Sequence, residues 1–268
     1  LSKAERTELE KFISSPYFAS GRDCVPLFNT LKTGWPEFGG EQITKSMVYE
    51  KLYPGKTYGD KRSKSILSTL SSELYRLIME FLTYSGLRND RRNKKLLLLR
   101  NLLDKNLYRE FDAEYNSTKS DNAPGENSER RGSAANFLES FRVGYIYNEY
   151  AWKRSDMEGL YNGLLSSTDD ALAFALITAY KFMDTKDTAA VTFNIKTGKT
   201  FADILLGTLD NEKMLTALKE HYPELYPYVH INYLVYMMNR NKSEMNDESL
   251  LHYRRLKDTV EKDRDAFG

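Results

Sequence analysis

The feature that most constrains the fold is the spacing of apolar residues between Asp60 and about Thr83. Large apolar side chains recur there every three or four residues. They are Ile66, Leu70, Leu74, Leu77 and Phe81. This spacing places them on one side of an α-helix, whereas a half-buried strand would alternate apolar and polar residues. The segment is therefore predicted to be a long amphipathic helix that buries one face.

Similar spacing extends over most of the remaining chain. Ser2 and Glu5 have the spacing of a capping box that begins a first helix, and Thr44 is predicted to cap a helix over residues 45–52. Gly86 is predicted to end the long helix, and a basic turn leads to a second one. Its apolar residues follow strict four-residue steps at Leu99, Leu103, Leu107, Phe111 and Tyr115. Further apolar stripes occupy the second half. For residues 188–201 the sequence is compatible with two structures, a short strand or a helix end followed by a loop.

These patterns predict an all-α fold, built as an irregular array or α-solenoid of antiparallel helix pairs. The polar segment 117–133 contains Pro124 and Gly125 and is predicted to be a flexible loop. It would separate an N-terminal helical domain over residues 1–116, with two long antiparallel helices, from a repeat-like domain of helical hairpins over residues 134–268.

Composition excludes several classes of protein. The 268 residues carry a net charge of +1, so no overall field attracts nucleic acid or a membrane. The single cysteine, Cys24, excludes an internal disulfide framework and fits a reducing compartment. The longest apolar runs fall far short of the ~20 residues of a membrane-spanning helix. We therefore expect a cytoplasmic protein with no membrane partner.

Motifs for catalysis are missing from the sequence. Two Gly-Lys-Thr triplets, which begin at Gly55 and Gly198, lack the earlier glycine of a phosphate-binding loop, since Glu50 and Phe193 occupy that position. The three histidines show no metal-ligand spacing. The pair Asp169 and Asp170 is predicted to stabilise the start of a helix. We expect no catalytic residue, metal or cofactor, and an enzyme without a familiar motif would instead show a deep pocket of converging titratable groups.

Two residue sets are candidates for contact with a partner. Tyrosine presents an apolar ring with a polar end, which suits both helix seams and peptide grooves. The predicted partner-binding residues are Tyr145, Tyr147, Tyr150, Trp152, Tyr180, Tyr233 and Tyr236. A second set, at the basic junction, would contact nucleic acid or an acidic partner, or would form a solvated turn. Its members are Arg88, Arg91, Arg92, Lys94 and Lys95.

Two resemblances follow from particular segments. The string Ser15-Pro16-Tyr17-Phe18, the pair Leu27-Phe28 and the stretch from Ile43 to Leu74 resemble a group of uncharacterised bacterial all-helical proteins. This resemblance covers about residues 1–85 and implies a helical fold in a bacterial protein, without a catalytic activity. Residues 171–183 and 227–267 loosely resemble tetratricopeptide-like helical hairpins, which bind peptides in a concave groove. The Trp and the Leu-Gly pair of the first helix of that repeat are missing here.

The leading hypothesis is a non-enzymatic helical scaffold in the bacterial cytoplasm that binds a protein or peptide on a tyrosine-rich concave face of residues 134–267. The alternative is a nucleic-acid-binding regulator that uses the basic region of residues 44–100.

Overall fold

The computed structural model describes residues 1–19, 21–35, 43–121, 133–196 and 198–240, together with residues 251, 253–255, 257–258 and 261. Within these ranges no strand occurs, so the predicted all-α class is confirmed. The helices are α1 (Lys3–Ile13), α2 (Val25–Lys32), α3 (Lys45–Leu52), α4 (Lys61–Asn89), α5 (Arg91–Asp104), α6 (Tyr108–Asp121), α7 (Ala134–Arg154), α8 (Met157–Phe193), α9 (Phe201–Thr208), α10 (Asn211–His221) and α11 (Tyr226–Arg240).

The chain divides into two compact units, Leu1–Lys94 and Lys95–Gly268. This division falls earlier than the boundary predicted at residues 117–133. The reason is that α5 and α6 share a core with α7, in which Leu99, Phe111 and Ile146 are buried together. Residues 117–121 belong to the end of α6 rather than to a loop, and residues 122–132 lie outside the described part of the chain.

The first unit is built around the buried face of α4. Helix α1 begins with the predicted capping box, in which the Glu5 N–H donates to Ser2 Oγ at 3.2 Å and the Ser2 N–H donates to the Glu5 carboxylate at 2.6 Å. Thr44 caps α3 as predicted, through a bond of 3.3 Å from the Met47 N–H. The α4 stripe is confirmed, because Leu70, Leu74, Leu77 and Phe81 are buried against α1, α2 and α3.

The predicted pair of long helices is wrong in two respects. Gly86 does not end α4, which continues to Asn89. The second long helix is broken at Asn106, whose φ of 56° is left-handed, and the Leu107 N–H closes the turn on the Leu102 carbonyl at 2.9 Å. Asparagine visits this conformation more readily than most residues, so α5 ends here although the apolar spacing continues.

The second unit is organised by the antiparallel pair of α7 and α8. Small residues bring these helices close together: Gly144 faces Ser167, and Gly163 faces Asn148. Helix α8 also packs on α11, where Tyr180, Tyr233 and Tyr236 are buried together. Asp169 and Asp170 lie in the interior of α8, so their predicted position at the start of a helix is wrong. The question left open for residues 188–201 is answered by a helix end at Phe193 and a new helix from Phe201, with residue 197 undescribed.

Candidate protein-binding groove

The predicted tyrosine-rich face does not form as a single surface. Four of its seven members are core residues, namely Tyr150, Tyr180, Tyr233 and Tyr236. A side chain buried in the core cannot contact a partner, so this part of the prediction is wrong. The reason is that the helices bearing these residues have neighbours on the same side, which a sequence pattern alone does not identify. Tyr147 is half-buried, while Tyr145 and Trp152 are 55% and 66% exposed.

The buried tyrosines and the half-buried Tyr147 form ring contacts that stabilise the cores. The Tyr150 ring stacks on the Phe111 ring with centroids 4.3 Å apart, and the Tyr147 ring stacks on the Tyr115 ring at 4.5 Å. Burial, and secondly a hydrogen bond to the Asp112 carboxylate, raises the pKa of Tyr150 to about 12. Burial also raises the pKa of Tyr180, whose hydroxyl donates to Asn211 Oδ1 at 2.6 Å. These phenols are therefore neutral packing groups near neutral pH.

The predicted basic set lies where α4 ends and α5 begins. Arg88 is in the last turn of α4 and lies 3.7 Å from the Glu8 carboxylate. Arg91, Arg92, Lys94 and Lys95 occupy the first one and a half turns of α5. Only Arg88 is therefore at a helix C-terminus, where the helix dipole favours a cation. At the N-terminal end of α5 the helix dipole is unfavourable for cations, and the Asp90 carboxylate counters this by accepting from the Asn93 N–H at 3.0 Å.

Tyr145 borders a groove between α5 and α7. The groove has a volume of about 380 Å³ and is open to solvent. Its lining residues are Leu96, Leu97, Arg100, Phe141, Arg142, Tyr145 and Ile146. Phe141 and Tyr145 are one helical turn apart on α7, and their rings lie 6.2 Å apart. An open, largely apolar groove between two helices suits the side chains of a protein segment.

Two guanidinium groups border this apolar groove. Arg100 donates to the Glu149 carboxylate at 2.5 Å across the α5–α7 seam, and its Nε lies 3.4 Å from Asp104. Arg142 occupies the α7 side of the groove. Guanidinium groups offer several donors in a fixed plane and can hold two carboxylates at once. Arg100 is therefore already paired with two carboxylates of the chain itself, and its bond to Glu149 fixes α5 against α7.

Sequence reasoning selected Tyr145 but missed the leucine side of the groove. Leu96 to Leu99 are consecutive, and residues on a helix are separated by about 100°. A single buried face cannot cover all four of these side chains. Leu96 and Leu99 are buried, whereas Leu97 and Leu98 are exposed. The run of four leucines was therefore the available signal for an exposed apolar surface on α5.

A larger groove of about 500 Å³ lies in the first unit, between α2, α3 and α4. Leu27, Leu31 and Val48 contribute to its apolar lining, and the exposed residues Ser68, Ser71 and Ser72 contribute hydroxyls. None of the sequence-predicted contact residues lines it. We therefore select the α5–α7 groove as the candidate site, because there the geometry coincides with a residue selected independently from the sequence.

Groups that could support chemistry are dispersed. Cys24 is buried, with its thiol 3.8 Å from the Leu70 carbonyl, and burial raises the pKa of that thiol. His230 stacks on Tyr226, and His221 is exposed at the end of α10. His252 lies outside the described residues. In the described ranges, no group of three or more His, Cys, Asp or Glu residues is placed to hold a metal ion.

Among the described helices, none combines the length and apolar composition required to cross a membrane. Comparison of the chain with protein-family models, with curated proteins and with solved structures gave no match.

Proposed function

We propose that this chain is a non-enzymatic helical scaffold that binds an apolar segment of a partner protein in the α5–α7 groove. The observation that carries the proposal is the groove itself, in which exposed Leu97 and Tyr145 stand beside a largely buried apolar floor. Exposed apolar patches of this kind commonly mark sites of protein interaction. A bacterial cytoplasmic location belongs to the same proposal, supported by the resemblance of residues 1–85 and by the single cysteine.

The chemistry of the groove defines the kind of partner. Aromatic and leucine side chains would cover the apolar side chains of the bound segment, which supplies most of the binding energy in such interfaces. Arg100 pairs with Glu149 across the α5–α7 seam, so the two helices that carry the apolar lining are held together. The partner is therefore a protein with a short amphipathic segment whose apolar side chains enter the groove.

The proposal is tested by photocrosslinking from the groove. The photoreactive residue p-benzoylphenylalanine is placed at position 145 of the full chain in the organism that makes it, and crosslinked species are identified by mass spectrometry. The matched control carries the same residue at position 161, because Tyr161 is also an exposed tyrosine in the second unit. We expect a discrete protein adduct from position 145 and none of the same mass from position 161.

A substitution checks that the adduct depends on the groove. Leu97→Ser removes an exposed apolar wall of the groove without opening a core, and we expect at least a tenfold loss of crosslinking. Leu164→Ser, at an exposed leucine of α8, is the control and should leave the adduct unchanged. Equal adducts from positions 145 and 161, or an adduct unaffected by Leu97→Ser, would refute a groove-specific partner.

The alternative of a nucleic-acid-binding regulator is favoured by one observation, the concentration of Arg91, Arg92, Lys94 and Lys95 at the start of α5. Phosphate contacts made by such cations weaken steeply as salt rises. The measurement is a titration of duplex DNA at several salt concentrations with the natural chain and with these four cations replaced by glutamate. A loss of binding on charge reversal would support the alternative, and an absence of binding at low salt would exclude it.

A further inference from the structure

The end of α8 and the start of α9 form an exposed apolar projection, which we call the α8–α9 tip. Its apolar members are Val191, Phe193, Ile195 and Phe201. All are exposed, with Phe193 at 72% and Phe201 at 78%. Every described residue from Val191 to Phe201 is exposed as well. Large apolar side chains rarely stand in water at this density unless they are covered in function.

The geometry of α8 explains why this segment projects. Helix α9 is fastened to α8 near Lys186, whose ammonium donates to the Asp203 carboxylate at 2.7 and 2.8 Å. The Thr200 hydroxyl also contacts the Met183 sulfur at 3.8 Å. At 1.5 Å per residue, α8 continues for about 10 Å beyond Lys186 before it ends at Phe193. The last turns of α8 and the following loop therefore extend past the point where α9 is held.

The charges of the tip have one sign. Between residues 188 and 202 the only charged side chains are Lys196 and Lys199, and both are exposed. A carboxylate flanks the tip on each side. Asp187 is half-buried, and Asp203 accepts hydrogen bonds from Lys186 and from Thr200, which lower its pKa well below the usual range. The tip therefore presents phenylalanine and aliphatic side chains together with two lysines and no carboxylate.

We propose that the α8–α9 tip binds the surface of an anionic lipid bilayer. Exposed phenylalanine and isoleucine side chains can enter the boundary between headgroups and acyl chains, and nearby lysines are attracted by anionic headgroups. A projection can enter such a boundary, whereas it offers no groove to an extended peptide. Contact between two copies of the tip is disfavoured, because it would bring the like-charged side chains of Lys196 and Lys199 together. The expectation of no membrane partner rested on the net charge of the whole chain and on the absence of apolar runs long enough to span a bilayer. Neither addresses a local contact with a bilayer surface.

The test is flotation of the full chain with vesicles of phosphatidylcholine and phosphatidylglycerol in a 7:3 ratio, compared with pure phosphatidylcholine. We expect binding to the anionic vesicles that weakens as salt is raised. Replacement of both Lys196 and Lys199 by glutamate should reduce partitioning by at least about 25-fold, because each lysine contributes roughly fivefold near an anionic surface. The double change of Phe193 and Phe201 to serine should reduce it by at least about tenfold.

Matched controls use exposed residues remote from the tip. Tyr161→Ser replaces an exposed aromatic residue that lies roughly 48 Å away along α8. Lys153→Glu reverses an exposed charge on α7. Both variants should float like the natural chain, and far-UV circular dichroism establishes that every variant is folded.

Three outcomes would overturn the proposal. The first is an absence of flotation with anionic vesicles at low salt. The second is unchanged flotation of the Phe193 and Phe201 double variant. The third is sedimentation that detects a concentration-dependent dimer, abolished by the same double variant, without vesicle binding, because the tip would then be a contact between copies of the chain. None of these measurements involves the α5–α7 groove, so the two proposals fail independently.

Discussion

Replacement of Gly163 by alanine tests the close packing of α7 and α8. An alanine Cβ at this position would lie 2.2 Å from Asn148 Oδ1 and 3.2 Å from Tyr147 Cδ1. In an unobstructed helix the same change is stabilising, by about 1 kcal/mol, because alanine restricts the unfolded chain and favours the helix. The sign of the effect at Gly163 therefore depends on whether these two neighbours can move.

Both neighbours are held in place. Asn148 is only 9% exposed, and its Nδ2 donates to Ser167 Oγ at 3.2 Å. Tyr147 is held by its stack on Tyr115. Moving Asn148 would sacrifice a buried hydrogen bond of about 1 kcal/mol, and overpacking typically costs about 1–3 kcal/mol more. After the helix-propensity gain is subtracted, we expect Gly163→Ala to lower the free energy of unfolding by about 1–3 kcal/mol.

The matched control is Gly207→Ala. Gly207 lies in α9 of the same unit, and a Cβ there would meet no heavy atom within 4 Å. This variant should gain about 0.5 kcal/mol, less than the full propensity effect because the position is near the helix end. Gly86 in α4 is equally open and offers the same control in the first unit.

The assay is urea unfolding followed by far-UV circular dichroism, with the midpoint and the slope fitted separately. A lowered midpoint with an unchanged slope for Gly163→Ala, together with a raised midpoint for Gly207→Ala, is the expected result. If Gly163→Ala were neutral or stabilising while Gly207→Ala behaved as expected, α7 and α8 would not be in close contact at this point, and the reasoning would be refuted.

Two further predictions concern buried titratable groups. Cys24, the only cysteine, is buried, and burial raises the pKa of its thiol. A thiol reagent should therefore modify it at least about a hundredfold more slowly in the native chain than in urea. Rapid labelling of the native chain would contradict the structure. Burial, and secondly the Asp169 carboxylate, raises the pKa of Asp170 to about 6. The ordinary pKa of an aspartate is about 4, so ionisation of Asp170 lowers the free energy of unfolding as the pH rises from about 4 to about 6. At pH 7.5 Asp170→Asn should therefore unfold at a higher urea concentration than the natural chain, with a free energy of unfolding larger by about 1 kcal/mol after allowance for solvent screening. The difference should shrink toward pH 4. An equal difference at both pH values would exclude this cause.

Apolar spacing predicted the helices well because it reports which side of a segment is buried. The α4 face is a clear case, since Leu70, Leu74 and Leu77 lie in the core as the spacing requires. Helix starts were also predictable from local chemistry, because a side-chain oxygen at Ser2 or Thr44 satisfies a backbone N–H a few residues later.

Helix ends were predicted less well because they depend on backbone conformations that several residues can adopt. Asn106, Ser155 and Asn194 all have left-handed φ values, and each ends a helix. Glycine is the usual residue at such positions, which is why Gly86 was selected instead, although it lies inside α4. The partner of each buried face was also not predictable from sequence. The stripe of α5 was assigned to a hairpin with α4, yet its leucines pack with α6 and α7.

Both proposed surfaces are marked in the sequence by apolar residues that do not fit the helical spacing of the buried face. A helix buries one face, so apolar residues in excess of that face must stand in solvent or be covered by another molecule. On α5 the excess is Leu97, which lines the groove, and the exposed Leu98. At the end of α8 it is Val191 and Phe193. Spacing of one or two residues between large apolar side chains on a helix therefore indicates a second surface, because such neighbours point about 100° or 200° apart. The same physical rule that predicted the cores from the matching residues thus locates both candidate interfaces from the residues that do not match.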